Sequence, residues 1–451
     1  MGWIRSWLGD MKARSWFVAL LAGTNMLYWI LPLISRYSMS LVVLPFALIL
    51  LAVQLARREI RWNAYAVSLF LMAAFYILAW ARNLDLSYRA TYPLILSCAS
   101  MTIVGIVPKD CPEKTLRTET LTLAAMILTV MVSLAIVGMT SVFVGRKLPF
   151  LWKEACVGLK RNGRPNSRIY LLMHPNASAS MCAMAILFAI HWLNRQPTRW
   201  LKGVLACAIV PLAFAIIHCQ SRSCNIAMAT GVGALIFRAL YLRGFRGKKR
   251  IWVALAAWVL TFFCLLWLSN VIFQMDMRVA KALLKTENTG RTVSRTVTDG
   301  TFDMLSNGRG SVWSITLRYL LKHPSKLLLG MGSGDLIPII KAEFPELREQ
   351  SLVNAYLETL ARGGIPMFLC AMAMCVMLVK PCITLLVAEE TEENRGMHVF
   401  PIMIGMLLMI SVVEVGLFSY ANLRNILFFY AAGRVMRACA PTDARDLQTA
   451  G

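Results

Sequence analysis

Gly308-Arg309-Gly310-Ser311-Val312-Trp313, His323-Pro324 running into Leu329-Gly330-Met331-Gly332-Ser333-Gly334, then Asn354-Ala355-Tyr356-Leu357-Glu358 and Gly363-Gly364-Ile365-Pro366 punctuate the stretch from Gln274 to Gly364. This stretch is a long polar interruption in a chain that is otherwise a near-continuous series of apolar blocks. The chain is 58% hydrophobic, with mean hydropathy +0.61 and only 16% charged residues. A soluble chain carries about 25% charged residues. The composition excludes a soluble globular protein and predicts an all-α, polytopic integral membrane protein. A long glycine-punctuated loop kept among short ones is where function concentrates in such a protein.

Each crossing needs about 20 apolar residues. Candidate spans lie at 16–34, 39–56, 62–81, 90–107, 119–144, 169–193, 201–219, 221–242, 251–273, 365–388, 399–420 and 422–436, about twelve at that length. The long loop falls between the ninth and tenth. The chain divides into 1–168 (first spans and a basic loop), 169–274 (spans carrying Ser221-Arg222-Ser223), 275–364 (the loop domain) and 365–451 (last spans and tail).

The net charge of +24 follows from basic residues that collect at cytoplasmic loops. Clusters at Arg57/Arg58/Arg61, Lys109/Lys114/Arg117, Arg195/Arg199/Lys202 and Arg243/Arg246/Lys248/Lys249/Arg250 set one side. They put both termini in the cytoplasm and the long loop outside. Scattered in this way, the basic residues do not build a nucleic-acid surface. One outside loop breaks the bias, with Arg146, Lys147, Lys153, Lys160, Arg161, Arg164 and Arg168 against Glu154. It reads either as a basic loop near headgroups or as an electrostatic funnel for an anionic substrate. The 12 cysteines show no Cys-x-x-Cys or Cys/His spacing, so they read as small core residues.

The ordered set Met173-His174-Pro175-Asn176, Ser221-Arg222-Ser223, Gly308-Arg309, His323-Pro324, Asn354-Ala355-Tyr356 and Gly364-Ile365-Pro366 resembles the O-antigen ligase and O-antigen polymerase family of bacterial envelopes. The resemblance covers roughly residues 169–430. It implies a protein of the bacterial inner membrane, active at its outer face. Such a protein takes a glycan from an undecaprenyl diphosphate carrier and attaches it to lipid A core or to another carrier-linked unit, with no metal and no cofactor. By position, Arg222 and Arg309 match the arginines expected to hold the diphosphate. Where the ligase pattern has His before the Asn, this chain has Val353, which cannot accept a proton. That departure favours a polymerase or a divergent member over a ligase.

Read from the residues alone, the chain has no Asp-x-Asp pair to clamp a divalent metal on a sugar diphosphate. The charge of a leaving diphosphate then falls to guanidinium groups and helix N-termini. Each arginine also has a plainer reading: Arg222 snorkels to the interface, and Arg309 pairs with an acid such as Asp303. A proton acceptor for the attacking hydroxyl is sought among His323, Glu358, His218 and Glu414. Glu358 stands four residues before Arg362, an ordinary helical ion-pair spacing. Glu414 lies inside the eleventh expected span. Asn354, Tyr356, Asn176, Lys160 and Arg164 complete the expected substrate contacts, with Tyr356 and Trp313 able to stack on sugar rings. His174-Pro175-Asn176 reads as a kink lining a cavity. Gly330, Gly332 and Gly334 read as tight turns or as a close approach to a phosphate. A transporter or flippase, or a non-catalytic relative, is the alternative; a transporter would show two similar halves, and no such repeat is seen.

Overall fold

Long apolar blocks leave the backbone one way to satisfy its polar groups in lipid, which is the helix. A computed structural model describes residues 12–30, 36–83, 88–144, 148–150, 152–159, 169–195, 198–219, 221–243, 249–284, 309–347, 351–392, 394–419 and 421–440. Lys160 and Arg164, both chain termini and the segment 285–308 lie outside these residues. A helix stands at each of the twelve expected places: α1 (Ala13–Ile30), α2 (Arg36–Ala56), α3 (Ala64–Asn83), α4 (Tyr88–Gly105), α5 (Glu113–Val144), α6 (Pro175–Arg195), α7 (Arg199–His218), α8 (Arg222–Arg243), α9 (Lys249–Leu284) and, after the loop, α13 (Ala355–Val387), α14 (Val399–Ser411) and α15 (Leu423–Ala438). Among the described residues, seven helices are long and apolar enough to cross a membrane, and the apolar segments Leu41–Ala56, Thr91–Gly105 and Val399–Ser411 are shorter.

The loop between contains α10 (Arg309–Lys322), α11 (Pro324–Leu329) and α12 (Leu336–Glu343). Their apolar faces close a second core around Val312, Tyr319, Leu336 and Ile340, joined by Leu357 and Ala361 of α13. The main core is centred on α15, where Asn425 to Val435 are all buried. A helix buried all round sits inside a bundle. α9 is the opposite case, with Trp252, Leu260, Phe263 and Trp267 each more than 60% exposed, a surface suited to lipid.

Several expectations are corrected. The all-α expectation leaves out a small sheet at the basic loop: β1 (Leu148–Phe150), β2 (Trp152–Leu159) and β3 (Ile169–Tyr170) pair antiparallel in that order. Pro175 does not kink a span but opens α6, where its missing N–H costs nothing. α14 ends at Ser411, so Glu414 lies in the turn beyond it rather than within a span. The glycines at 363 and 364 do break the helix before residue 365: Gly364 is non-helical, with φ 69° and ψ −172°, and α13 is helical on both sides of that kink.

That kink organises the loop. Pro366 has no N–H to give the carbonyl of Arg362, which would be orphaned in an apolar setting. Gly332 N–H donates to it instead at 2.9 Å, and Met331 N–H donates to Ala361 O at 2.8 Å. The chains approach so closely that a Cβ on Gly330 would fall 2.2 Å from Arg362 O, and one on Gly364 2.4 Å from Leu328 O. The glycines are therefore the mortise of a joint. The amides a phosphate nest would need at Met331 and Gly332 are already donated to α13.

Buried arginines close other helix ends. Arg14 pairs with Glu119 at 2.5 Å and donates to Ile103 O and Val104 O at the end of α4. Arg238 of α8 donates to Leu386 O and Ala388 O at the end of α13. Such cations answer the carbonyls and the negative dipole end that a helix C-terminus leaves open.

Gly364→Ala adds a Cβ against backbone at a left-handed φ, so it should cost more than about 2 kcal/mol. Gly405→Ala, with nothing within 4 Å of its Cβ, should be neutral or stabilising by up to about 1 kcal/mol. Thermal unfolding in detergent, followed by tryptophan fluorescence, compares the two; equal midpoints would refute the joint.

His398, the N-cap of α14, is pushed down to about 4, by burial first and the Arg238 charge second, against the pull of Glu390. With a folded value below the ordinary 6.5, its contribution is complete above that pH and is lost as pH falls towards 4. His398→Gln should flatten the fall in melting temperature across that window relative to the parent.

Candidate functional site

The turn from Val412 to Asn422 is mostly apolar in sequence, with Glu414 its one charged residue, and is held from α13 and α15. Asn422 caps α15 by accepting from Asn425 N–H at 3.0 Å and donates to Gly416 O at 2.9 Å. Asn425 donates to Leu417 O at 2.6 Å. From α13, Glu358 Oε2 accepts the Gly416 N–H at 2.7 Å, while its Oε1 accepts from Arg362 Nε at 2.9 Å. Arg362 in turn donates to Gly334 O at 3.1 Å. One buried ion pair thus ties the glycine joint, the α13 kink and this turn together.

Held in this way, the turn presents Glu414 to three side chains from distant parts of the chain. Asn176, in the first turn of α6, donates its amide to Oε1 at 2.5 Å. Arg424, in the first turn of α15, reaches Oε2 at 3.4 Å and also donates to Val415 O at 3.1 Å. Arg309, which opens α10, stands 3.8 Å from Oε1. The Arg309, Arg424 and Glu414 side chains are 17%, 16% and 12% exposed, so the cluster is sheltered yet reachable.

The N-termini of α6, α13 and α15 all lie at this end of the bundle. Cys224, in the first turn of α8, is buried within coulombic reach of Glu414 and Arg424, so the start of α8 lies there too. Helix N-termini carry positive partial charge. Together with two guanidinium groups they make the surroundings of Glu414 electropositive.

The residues singled out by sequence fall into separate groups. Arg309 and Asn176 meet at Glu414. Arg222 opens α8 at the same end, but its side chain lies outside the described set. Glu358 is buried with both oxygens occupied, the ordinary i,i+4 pair its spacing allowed. Asn354 is the N-cap of α13, accepting from Leu357 N–H at 2.9 Å. Tyr356 donates its hydroxyl to Leu408 O at 2.9 Å and tilts against Phe418, packed between helices rather than offered as a stacking face. His323 lies at the far end of α10 from Arg309, roughly 20 Å away by helical rise. Its Nε2 meets Glu343 Oε1 at 2.7 Å. The hydrogen bond from Lys322, with His323 beside it, holds the Glu343 carboxyl below its ordinary range. His218 stacks on Phe214, its Nδ1 at 2.9 Å from the carbonyl of that residue. Val353 packs against the second core with φ 47°, a strained conformation for a β-branched residue.

Arg424 was missed by sequence reasoning. A signal was available, because a cation in the first turn of a helix opposes the dipole and calls for a compensating anion.

Residues 206–372 match the model of the Wzy_C family, described as O-antigen ligase. The matched region contains Arg222, Arg309, Asn354 and Glu358, whereas Asn176, Glu414 and Arg424 lie outside it. No curated protein matches the chain.

Glu358→Ala leaves Arg362 buried without its partner and should cost about 3–5 kcal/mol. Glu358→Gln keeps an acceptor for Gly416 and should cost less. Melting temperatures of the two purified variants test this order; a milder effect of Ala than of Gln would refute the tie.

Proposed function

We propose that this chain is a member of the O-antigen ligase and polymerase family and that it transfers an oligosaccharide from a polyprenyl diphosphate carrier to a glycan hydroxyl. The observation that carries this reading is the meeting of Arg309 and Arg424 around Glu414, beside Asn176 and the start of α8. The acceptor oxygen attacks the anomeric carbon from the face opposite the diphosphate. The bond from that carbon to the diphosphate oxygen breaks, and the configuration inverts. Charge that develops on the leaving diphosphate is met by Arg309, Arg424 and Arg222, with the helix N-termini adding to it and no divalent metal required.

At an effective dielectric constant near 20, each guanidinium within about 4 Å of a unit anion contributes on the order of 4 kcal/mol before desolvation. A diphosphate has more charge than Glu414 and more oxygens to share, so it is the better partner for two forks. The carrier is undecaprenyl diphosphate and the acceptor a second lipid-linked glycan, at the outer face of the inner membrane. Val353 leaves no imidazole beside Asn354, which favours the polymerase over the ligase. Lys160 and Arg164, carried between β2 and β3 on the chain leading into α6, gather the anionic donor.

Arg309→Ala and Arg424→Ala should each lower product formation on the order of 100-fold, about 3 kcal/mol of barrier. Lys at either position should restore only part of it, because an ammonium lacks the planar fork. Surface polysaccharide from a deletion strain carrying each variant, with membrane levels checked by immunoblot, gives the readout. Parental chain length and yield from both alanine variants would reject the assignment. In the deletion strain, single units left on the carrier mark a polymerase, and full-length chains left on it mark a ligase.

A further inference from the structure

Transfer to a hydroxyl needs a proton acceptor, and the groups best known from the sequence are occupied or remote. Glu358 has both oxygens engaged, and His323 lies at the wrong end of α10. His218 is stacked on Phe214 with its Nδ1 on a backbone carbonyl. Val353 has no basic atom. One carboxylate remains among the guanidinium groups themselves.

We infer that Glu414 is the general base of the transfer and that donor binding switches it on. The inference rests on the diphosphate-binding reading of Arg309 and Arg424. Without donor, Glu414 is the anion of the cluster, held by Asn176, Arg309 and Arg424. In that state Oε1 is held by Asn176 and Arg309 and Oε2 by Arg424, so an acceptor hydroxyl would have to compete with these partners for either oxygen. An arriving diphosphate competes for the same two forks and displaces it.

The released carboxylate then stands beside a polyanion, and a neighbouring negative charge favours taking up a proton. In the transfer, the acceptor O–H proton passes to a Glu414 carboxylate oxygen as the new C–O bond forms. The electron pair of the breaking C–O bond leaves on the diphosphate. Glu414 returns to the arginines after the lipid diphosphate departs and the proton is lost to solvent. The turn that holds Glu414 suits this exchange. Its backbone is fixed through Gly416, Leu417 and Asn422, while the Glu414 side chain is held, among the described residues, by Asn176, Arg309 and Arg424, which would bind the donor or line its path.

Among the described residues, the charged and titratable groups facing Glu414 are Arg309 of α10, Arg424 of α15 and Cys224 of α8. His174, exposed and two residues before Asn176, precedes α6, and Glu358 of α13 touches the same turn through Gly416. His174 is therefore the competing base.

The test uses the full-length protein in nanodiscs, a synthetic polyprenyl diphosphate as binding probe, and its oligosaccharide-linked form as donor. Glu414→Gln removes the internal anion and the base together. It should bind the probe roughly tenfold more tightly, about 1.4 kcal/mol, while kcat falls on the order of 100-fold or more. The acidic limb of the pH–rate profile should vanish in this variant, be partly restored in Glu414→Asp, and persist in His174→Gln. Retained kcat in Glu414→Gln, weaker probe binding by that variant, or loss of the limb in His174→Gln would each overturn the assignment. Unchanged probe binding by Arg309→Ala and Arg424→Ala would instead sink the diphosphate reading beneath it, so the two failures are distinguishable.

Discussion

The Glu358–Arg362 pair is the constraint through which the site is built. Both groups are almost wholly removed from solvent, and a pair in that position is kept only if each remaining lone pair and proton is used. Here they are used on neighbours: Glu358 takes the Gly416 amide, and Arg362 takes the carbonyls of the glycine loop. The pair ties the loop at Gly332–Gly334 to the turn before α15, the turn that carries Glu414.

The same economy recurs across the bundle. Arg14, Arg238, Arg362 and Arg434 are all at most 5% exposed. The first three lie on backbone carbonyls, and Arg434 lies on Glu113 at 2.9 Å. A strongly basic composition read as loop charge setting orientation is in part an internal supply of donors to helix ends. In a low-dielectric surrounding, a guanidinium serves this purpose better than water, since it carries several donors and stays charged.

Helix positions were legible because hydropathy and span length are local properties. The site was only half legible. Arg309 and Asn176 stand in recognisable motifs, but Arg424 sits in a run that reads as an ordinary apolar span. Glu414 reads as mid-membrane because Val399 to Tyr420 looks continuous, whereas the helix stops at Ser411 and Gly416, with φ 85°, turns the chain towards the Asn422 cap. Pro175 reads as a kink because sequence alone does not say whether a helix begins before or at a proline. The glycines of the loop read equally well as turn or nest. What decided between them was the missing N–H of Pro366, which lies more than thirty positions away along the chain. The small sheet is not legible because β1 and β3 span only three and two residues and β2, Trp-Lys-Glu-Ala-Cys-Val-Gly-Leu, lacks a strict apolar–polar alternation.

The interlocked glycines bear on how such proteins can be recombined. Since Gly330 and Gly364 each leave no room for a side chain because of the other's segment, neither strand of the joint can be exchanged alone. A chimera that imports the loop of a relative to alter acceptor choice would have to import residues 328–332 and 361–366 as one cassette. One splice point is better sought at 285–308. A cut in the 344–353 connection would part the two halves, so the second splice point belongs beyond residue 366.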